Sequence, residues 1–398
     1  MLMPQYCILK ITGNTSQMKL LARSNRISSI DVLRGLVMLI MLVDHVRERF
    51  YLHHQVADPM VVSETEPGLF FTRLSAHLCA PIFVFLTGLA AWLYAHPADG
   101  APRSAKGFLL KRGFFLVFLE LTLINLSWFG TYDRLYLQVI WVIGLCMIVL
   151  ALASNLPRYW IGGIGFLIVL GHNLLDPIAF SPGEFGYGAW TILHDRGFLV
   201  QGGALDVKIS YPVLPWFGVI FLGYFAGSLF GKKIDVERRT KILLGLGASS
   251  LLLLTVLRGF NLYGERQDWL VQQDTLHTAM DFLNFTKYPP SLDFLLLTLG
   301  IGFLLLAWFE RADTGWSRVL RVFGSAPMFF YVVHLYVLLI AYLMFVRLLG
   351  DESREYLGFD QLWQVWLTAG VLAVTLYFPT RWFRDYKRKS PLEILKYF

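Results

Sequence analysis

Residues 31–50 read DVLRGLVMLIMLVDHVRERF. The ten residues between Arg34 and His45 are apolar except for Gly35 and Asp44. As a helix, this stretch carries His45 about 16 Å beyond Arg34, at about 1.5 Å per residue. Eleven steps of about 100° overshoot three full turns by only about 20°, so both side chains lie on one helix face. Asp44 lies about 100° away from His45 around the axis. It is therefore placed either to fix the imidazole tautomer or to serve a neighbouring helix.

The rest of the chain sets the medium for this helix. Hydrophobic residues make up 56% of the 398, aromatic residues 16% and charged residues 16%, against about 25% charged in soluble domains. A soluble fold of this balance would be as apolar outside as inside, so the expectation is an all-α, polytopic membrane bundle. Ten stretches approach the roughly 20 apolar residues that cross a bilayer: 30–49, 77–95, 108–127, 135–153, 158–172, 212–230, 240–257, 292–309, 325–346 and 362–380. They divide the chain into a short cytoplasmic segment (1–26), a transmembrane domain (27–380) and a basic tail (381–398). Most of the 35 Lys and Arg residues fall on the side that holds both termini, which the positive-inside rule makes cytoplasmic. The net charge of +7 thus reads as topology and anionic-lipid contact rather than nucleic-acid binding. Cys7, Cys79 and Cys146 have no zinc or disulfide spacing, and no metal site is expected. The long outer loops 50–76, 173–211 and 258–291 carry Tyr187, Trp190, Tyr211, Tyr263 and Trp269, an interfacial belt or a sugar-stacking surface.

Ionisable residues inside membrane spans mark cavities and sites. His77, Glu120, Asn125, Gln138, Asp293 and His334 all fall within or at the ends of the apolar stretches, mostly in the outer half. Each also has a structural reading: Arg34 as a snorkelling cation, the histidines as packed core residues, and the amides and acids as interhelical glue. From the residues alone, group transfer, proton-coupled transport or flipping, and a purely structural role all remain open.

Six separated segments narrow the choice: SIDVLRGLVMLIMLVDHVRERF, HLCAPIFVFLTG, YPVLPWFGVIFLGY, FTKYPPSLDFLLLTLG, FGSAPMFFYVVHLYVL and YKRKSPLEILKYF. Together they resemble the bacterial membrane proteins similar to heparan-alpha-glucosaminide N-acetyltransferase catalytic domains, over about residues 27–398. This family lies within the acyltransferase-three-like group, whose first helix carries Arg, ten residues, then His. The resemblance implies transfer of an acetyl group from cytoplasmic acetyl-CoA to an amine or hydroxyl, often of a sugar, across a bacterial inner membrane. It places Arg34 at the cofactor mouth and His45 at the point of transfer. The need of coenzyme A phosphates for cations adds Lys111 and Arg112 beside Arg34, and Asp44 is positioned to assist His45. His77 and His334 stand in matching motifs, His334 towards the cofactor. Asn125, Gln138 and Asp293 are the candidates for acceptor or oxyanion contacts. The lysosomal members place their histidine in the loop after this helix, so His53 or His54 competes with His45 for the role. A homodimer is also compatible with the resemblance.

Overall fold

The computed structural model describes residues 27–51, 55–349 and 358–398. The chain is predominantly helical, and each of the ten apolar stretches carries a helix. Helix α1 spans Ser28–Phe50, α2 Pro67–Ala76 and α3 Cys79–Ala95. Next come α4 (Lys106–Leu119), a π-helical turn (Glu120–Ile124) and α5 (Asn125–Phe129). Helices α6 (Val139–Ala153) and α7 (Arg158–Gly171) follow, and α8 (Tyr187–Leu193) lies in a long loop. The second half holds α9 (Leu214–Ala226), α10 (Val236–Gly259), α11 (Thr275–Phe282) and α12 (Leu292–Phe309). It closes with α13 (Gly315–Ser325), α14 (Pro327–Leu349) and α15 (Leu362–Lys389).

Among the described residues, five helical runs are long and apolar enough to cross a membrane: Pro67–Ala95, Val236–Gly259, Leu292–Phe309, Pro327–Leu348 and Leu362–Lys389. Val139–Ala153 and Leu214–Phe230 are apolar but shorter. Helix α1 is excluded from this group by its own charges, yet it is the hub of the bundle. Helices α2, α3, α12, α13, α14 and α15 all pack on it, and Val32, Val37, Met38, Leu42 and Val46 are fully enclosed.

Three features depart from the sequence-based expectation. The bundle is not purely helical: β1 (Arg134–Leu137) pairs in parallel with β3 (Asp206–Ile209), which pairs antiparallel with β2 (Gly197–Val200). Residues 135–137, read as the start of a span, are thereby drawn into a strand. Helix α13 is amphipathic and short, so a search for long apolar runs passes over it. Finally, α15 continues through Pro379 to Lys389, so half of the expected basic tail is helical. Its last turn places Lys387, Arg388 and Lys389 at the negative end of the helix dipole.

Two crossings need glycine for close approach. A Cβ at Gly35 would collide with the Leu320 carbonyl, and one at Gly324 with the Asp31 carbonyl, so α1 and α13 touch backbone to backbone. Gly88 and Gly223 do the same for α3 and α9. Overpacking of such a contact costs about 1–3 kcal/mol, whereas an exposed helical Gly→Ala gains about 0.5–1 kcal/mol. Gly35→Leu is therefore expected to lower the thermal unfolding midpoint in detergent. Gly370→Ala, with open space around it, is expected to hold or raise it.

Candidate active site

The close crossing of α1 and α13 fixes Arg34. Its guanidinium donates to the Asp31 carboxylate at 3.0 Å and to the Gly324 carbonyl at 3.0 Å. The side chain stays 15% exposed and borders a cleft of about 1800 Å³. Arg112 of α4 lies near enough for the Arg34 charge to act on it. The Arg112 Nε is buried and has no partner among the described residues. Lys111 points the other way: it is exposed, and its charge reaches Glu393 near the C-terminus.

Three turns along α1, His45 meets His334 of α14. Their rings stack 5.0 Å apart at 13°, with His45 Nδ1 2.7 Å from His334 Nε2. His334 Nδ1 lies 2.8 Å from the Phe330 carbonyl. A carbonyl only accepts, so His334 Nδ1 must carry the proton. With both rings neutral, His334 Nε2 then accepts from His45 Nδ1, which leaves the lone pair of His45 on Nε2. His334 is fully buried and His45 only half so. Trp128 and Tyr331 stand edge-on to the His45 ring at 5.2 and 5.8 Å.

Trp128 is itself held by α1. Arg49 donates to the Trp128 and Ser127 carbonyls at 2.9 and 2.6 Å, with its guanidinium 5.3 Å from the Trp128 ring centroid. It satisfies carbonyls that the end of α5 leaves without helical partners.

Asp44 takes the second of its two sequence readings. One oxygen accepts from Arg47 and the other from Arg73 of α2, each at 2.9 Å, so both oxygens are engaged away from the imidazole. Glu48 completes the cluster 3.3 Å from Arg47 and 3.8 Å from Arg73, with its side chain 34% exposed. Lys287, buried in the segment just before α12, acts electrostatically on Asp44, His45 and Glu48. Its ammonium lies 5.1 Å from the Tyr288 ring centroid, and Tyr288 donates to the Tyr211 hydroxyl at 3.2 Å. Burial pushes the Tyr211 hydroxyl well above its ordinary range. It also pushes Asp58 upward, against the pull of Arg73 and Lys287. The loop carrying Lys287 is pinned by Glu265, which accepts from the Thr286 N–H at 2.9 Å and the Ser291 hydroxyl at 2.7 Å.

The other candidates lie apart. Asn125 spends its amide on backbone, accepting from the Tyr136 N–H at 2.7 Å and donating to the Glu120 and Tyr136 carbonyls. It clamps β1 to the π turn and has no hydrogen left for an oxyanion. Gln138 caps α6 with its backbone turned to the Glu120 carboxylate. Asp293 sits in the first turn of α12, close to Glu265 and Arg258 in charge. His77 is buried against Phe294 at 5.1 Å, and its Nδ1 has no partner among the described residues. His53 and His54 lie outside the described residues. No group of His, Cys, Asp and Glu that would hold a metal occurs among the described residues. Sequence reasoning missed Arg47, Arg49, Arg73, Trp128, Tyr331 and Lys287; only the charges of VRERF and the lysine of FTKYPPS were visible signals.

The family described as heparan-alpha-glucosaminide N-acetyltransferase, catalytic, matches residues 26–257. The chain belongs to this family. No curated protein is a match for it. Family membership makes the chain an acetyltransferase-like membrane enzyme, and the matched segment contains Arg34, Arg112 and His45. His334, the partner of His45, comes from a helix beyond it.

Removing one side of a buried ion pair costs about 3–5 kcal/mol. Asp44→Asn, which leaves Arg47 and Arg73 without their shared carboxylate, is expected to destabilise by that order in detergent melts. Glu48→Gln, more exposed, is expected to cost under about 1 kcal/mol.

Proposed function

We propose that the protein transfers an acetyl group from cytoplasmic acetyl-CoA to an amine or hydroxyl, most simply of a sugar, at the outer face of a bacterial inner membrane. The observation that carries this reading is the relay from the Phe330 carbonyl through His334 to His45, which presents a lone pair on His45 Nε2. A general base requires such a lone pair, and a catalytic histidine typically contributes about 10²–10⁴-fold.

Arg34 supports the donor's place. Its charge, together with the orphaned Nε of Arg112, suits the phosphates of coenzyme A at the inner end of α1. Acetyl-CoA, when bound, supplies an acetyl thioester. From Arg34 the shared face of α1 leads about 16 Å to His45. There Nε2 accepts the proton that the acceptor loses as it attacks the acetyl carbonyl, and the imidazolium returns it to the departing thiolate. The His334 lone pair stabilises the proton on Nδ1 while the imidazolium exists. Lys287 provides positive charge beside the developing oxyanion, a role that Asn125 cannot fill. Oxyanion donors are typically worth about 3–4 kcal/mol. Asp44 acts indirectly, holding Arg47 and Arg73 and so the outer end of α1. Glu48 is half-open and lies one turn beyond His45, in position to receive the acceptor's polar groups.

The orientation follows the excess of Lys and Arg on the side of the termini. On that reading Arg34 is cytoplasmic, while His45, Glu48 and Lys287 lie towards the outside.

His45→Ala, folded and membrane-inserted, is expected to abolish transfer of radiolabelled acetyl from acetyl-CoA. His334→Ala is expected to slow it by about 10²–10⁴ with the donor KM little changed. Lys287→Met should lower kcat by about 10²–10³. Transfer at the wild-type rate by His45→Ala would sink the proposal.

A further inference from the structure

The large cleft beside Arg34 does not lead to His45. It opens between two helix pairs, α7 with α9 and α10 with α12. Each pair is closely joined within itself: Gly165 faces Gly218, and Gly247 meets Leu304 and the Gly300 carbonyl. Contact between the two pairs is sparse, and the gap between them is the cleft.

Its two ends differ in chemistry. At the Arg34 end, seven Lys and Arg residues line it, with Asp31 the only carboxylate in the lining among the described residues. Three of those cations have acidic partners: Arg34 with Asp31, Lys232 with Asp99 and Arg239 with Glu310. Among the described residues no carboxylate pairs with Arg103, Arg158, Lys233 or Arg238. Arg103 donates to the Tyr94 carbonyl, and Arg158 stacks over Tyr159 and Phe225. Arg238 acts electrostatically on Asp235, yet cations still outnumber carboxylates along this rim.

Further along, the walls are almost wholly apolar. From Arg158 to Leu170 is twelve residues of α7, about 18 Å. Over that length the lining is Phe166, Leu170, Leu222, Phe225, Leu246 and Leu299, among other apolar groups. Ser250 also faces the cleft, but its hydroxyl is spent on the Leu246 carbonyl at 2.8 Å. A ligand with amides along its length would bury them without partners, at a cost in affinity. Alkyl chains would lose nothing there. Phe166 and Leu170 remain 48% and 45% exposed, so this wall of the cleft lies at the surface of the bundle.

An anionic head and hydrocarbon tail match these two ends. We propose that the cleft holds an anionic phospholipid of the adjoining leaflet, its phosphate among Arg158, Lys233 and Arg238 and a chain between the two helix pairs. Basic pockets between membrane helices on the cytoplasmic side bind anionic lipid heads in this way. The lipid would act as a wedge that fixes α12, and with it the Lys287 loop, against the rest of the bundle. The proposal is independent of acetyl transfer, because neither Lys233 nor Arg238 belongs to the proposed catalytic machinery.

Native mass spectrometry of the purified full chain, with phosphatidylglycerol and phosphatidylcholine supplied in equal amounts, tests it. The wild-type protein is expected to retain one phosphatidylglycerol at least tenfold more often than phosphatidylcholine. Lys233→Gln with Arg238→Gln should lose that preference. Ser250→Trp, which fills the apolar part and leaves the rim intact, should also release the lipid. Acetyl-CoA added to the loaded protein should leave it bound. No preference in the wild type, undiminished retention by the double variant or by Ser250→Trp, or displacement by acetyl-CoA would each overturn the proposal. Displacement would make the cleft the mouth of the donor site instead.

Discussion

A helix that carries charge through an apolar bundle must find a partner for every charge, and this requirement organises the whole structure. Helix α1 holds Arg34, Asp44, His45, Arg47, Glu48 and Arg49 among fully enclosed aliphatic residues. Arg34 is answered by the Gly324 carbonyl, Asp44 by Arg73, His45 by His334 and Arg49 by the carbonyls at the end of α5. Each partner arrives on a different element. Losing any one would leave a polar group unpaired in a medium where that is expensive. The glycines at the α1–α13 crossing serve the same requirement, because a side chain there would move the Gly324 carbonyl away from Arg34.

The same constraint separates positioning from chemistry. Groups whose hydrogen-bonding capacity is exhausted hold the frame: Asp44 between two arginines, Asn125 across the π turn and β1, Glu265 under the Lys287 loop. Four groups near α1 keep something left over. Arg112 keeps an unsatisfied Nε, His45 a lone pair, Glu48 a half-exposed carboxylate and Lys287 an ammonium without a paired carboxylate among the described residues. Arg34 and His45 lie about 16 Å apart along α1, which is consistent with the transfer reaction proposed above.

The sequence alone reveals the parts that depend on periodicity. The spacing of Arg34 and His45 predicts a common face, and the apolar stretches mark where helices form. The partners are harder to see because they are distant in the chain. His45 and His334 are 289 residues apart, and the histidine appears in the sequence only as a polar residue in the middle of an apolar run. Asp44 is adjacent to His45 in sequence, but the helical rotation turns it to Arg73. The sheet was hidden for a different reason: β1 is four residues long, directly precedes an apolar helix, and takes its pairing from a strand some seventy residues later. The π turn has no composition signature; it shows in the structure where Asn125 reaches back to the Glu120 carbonyl.

A cryo-EM map of the full chain in lipid nanodiscs with coenzyme A would show where the donor's phosphates and sulfur lie. The phosphates are expected at Arg34 and Arg112, with the sulfur within hydrogen-bonding reach of His45 Nε2. Density that places the sulfur beside His53 or His54, with His45 and His334 still closed on each other and remote from it, would contradict the account.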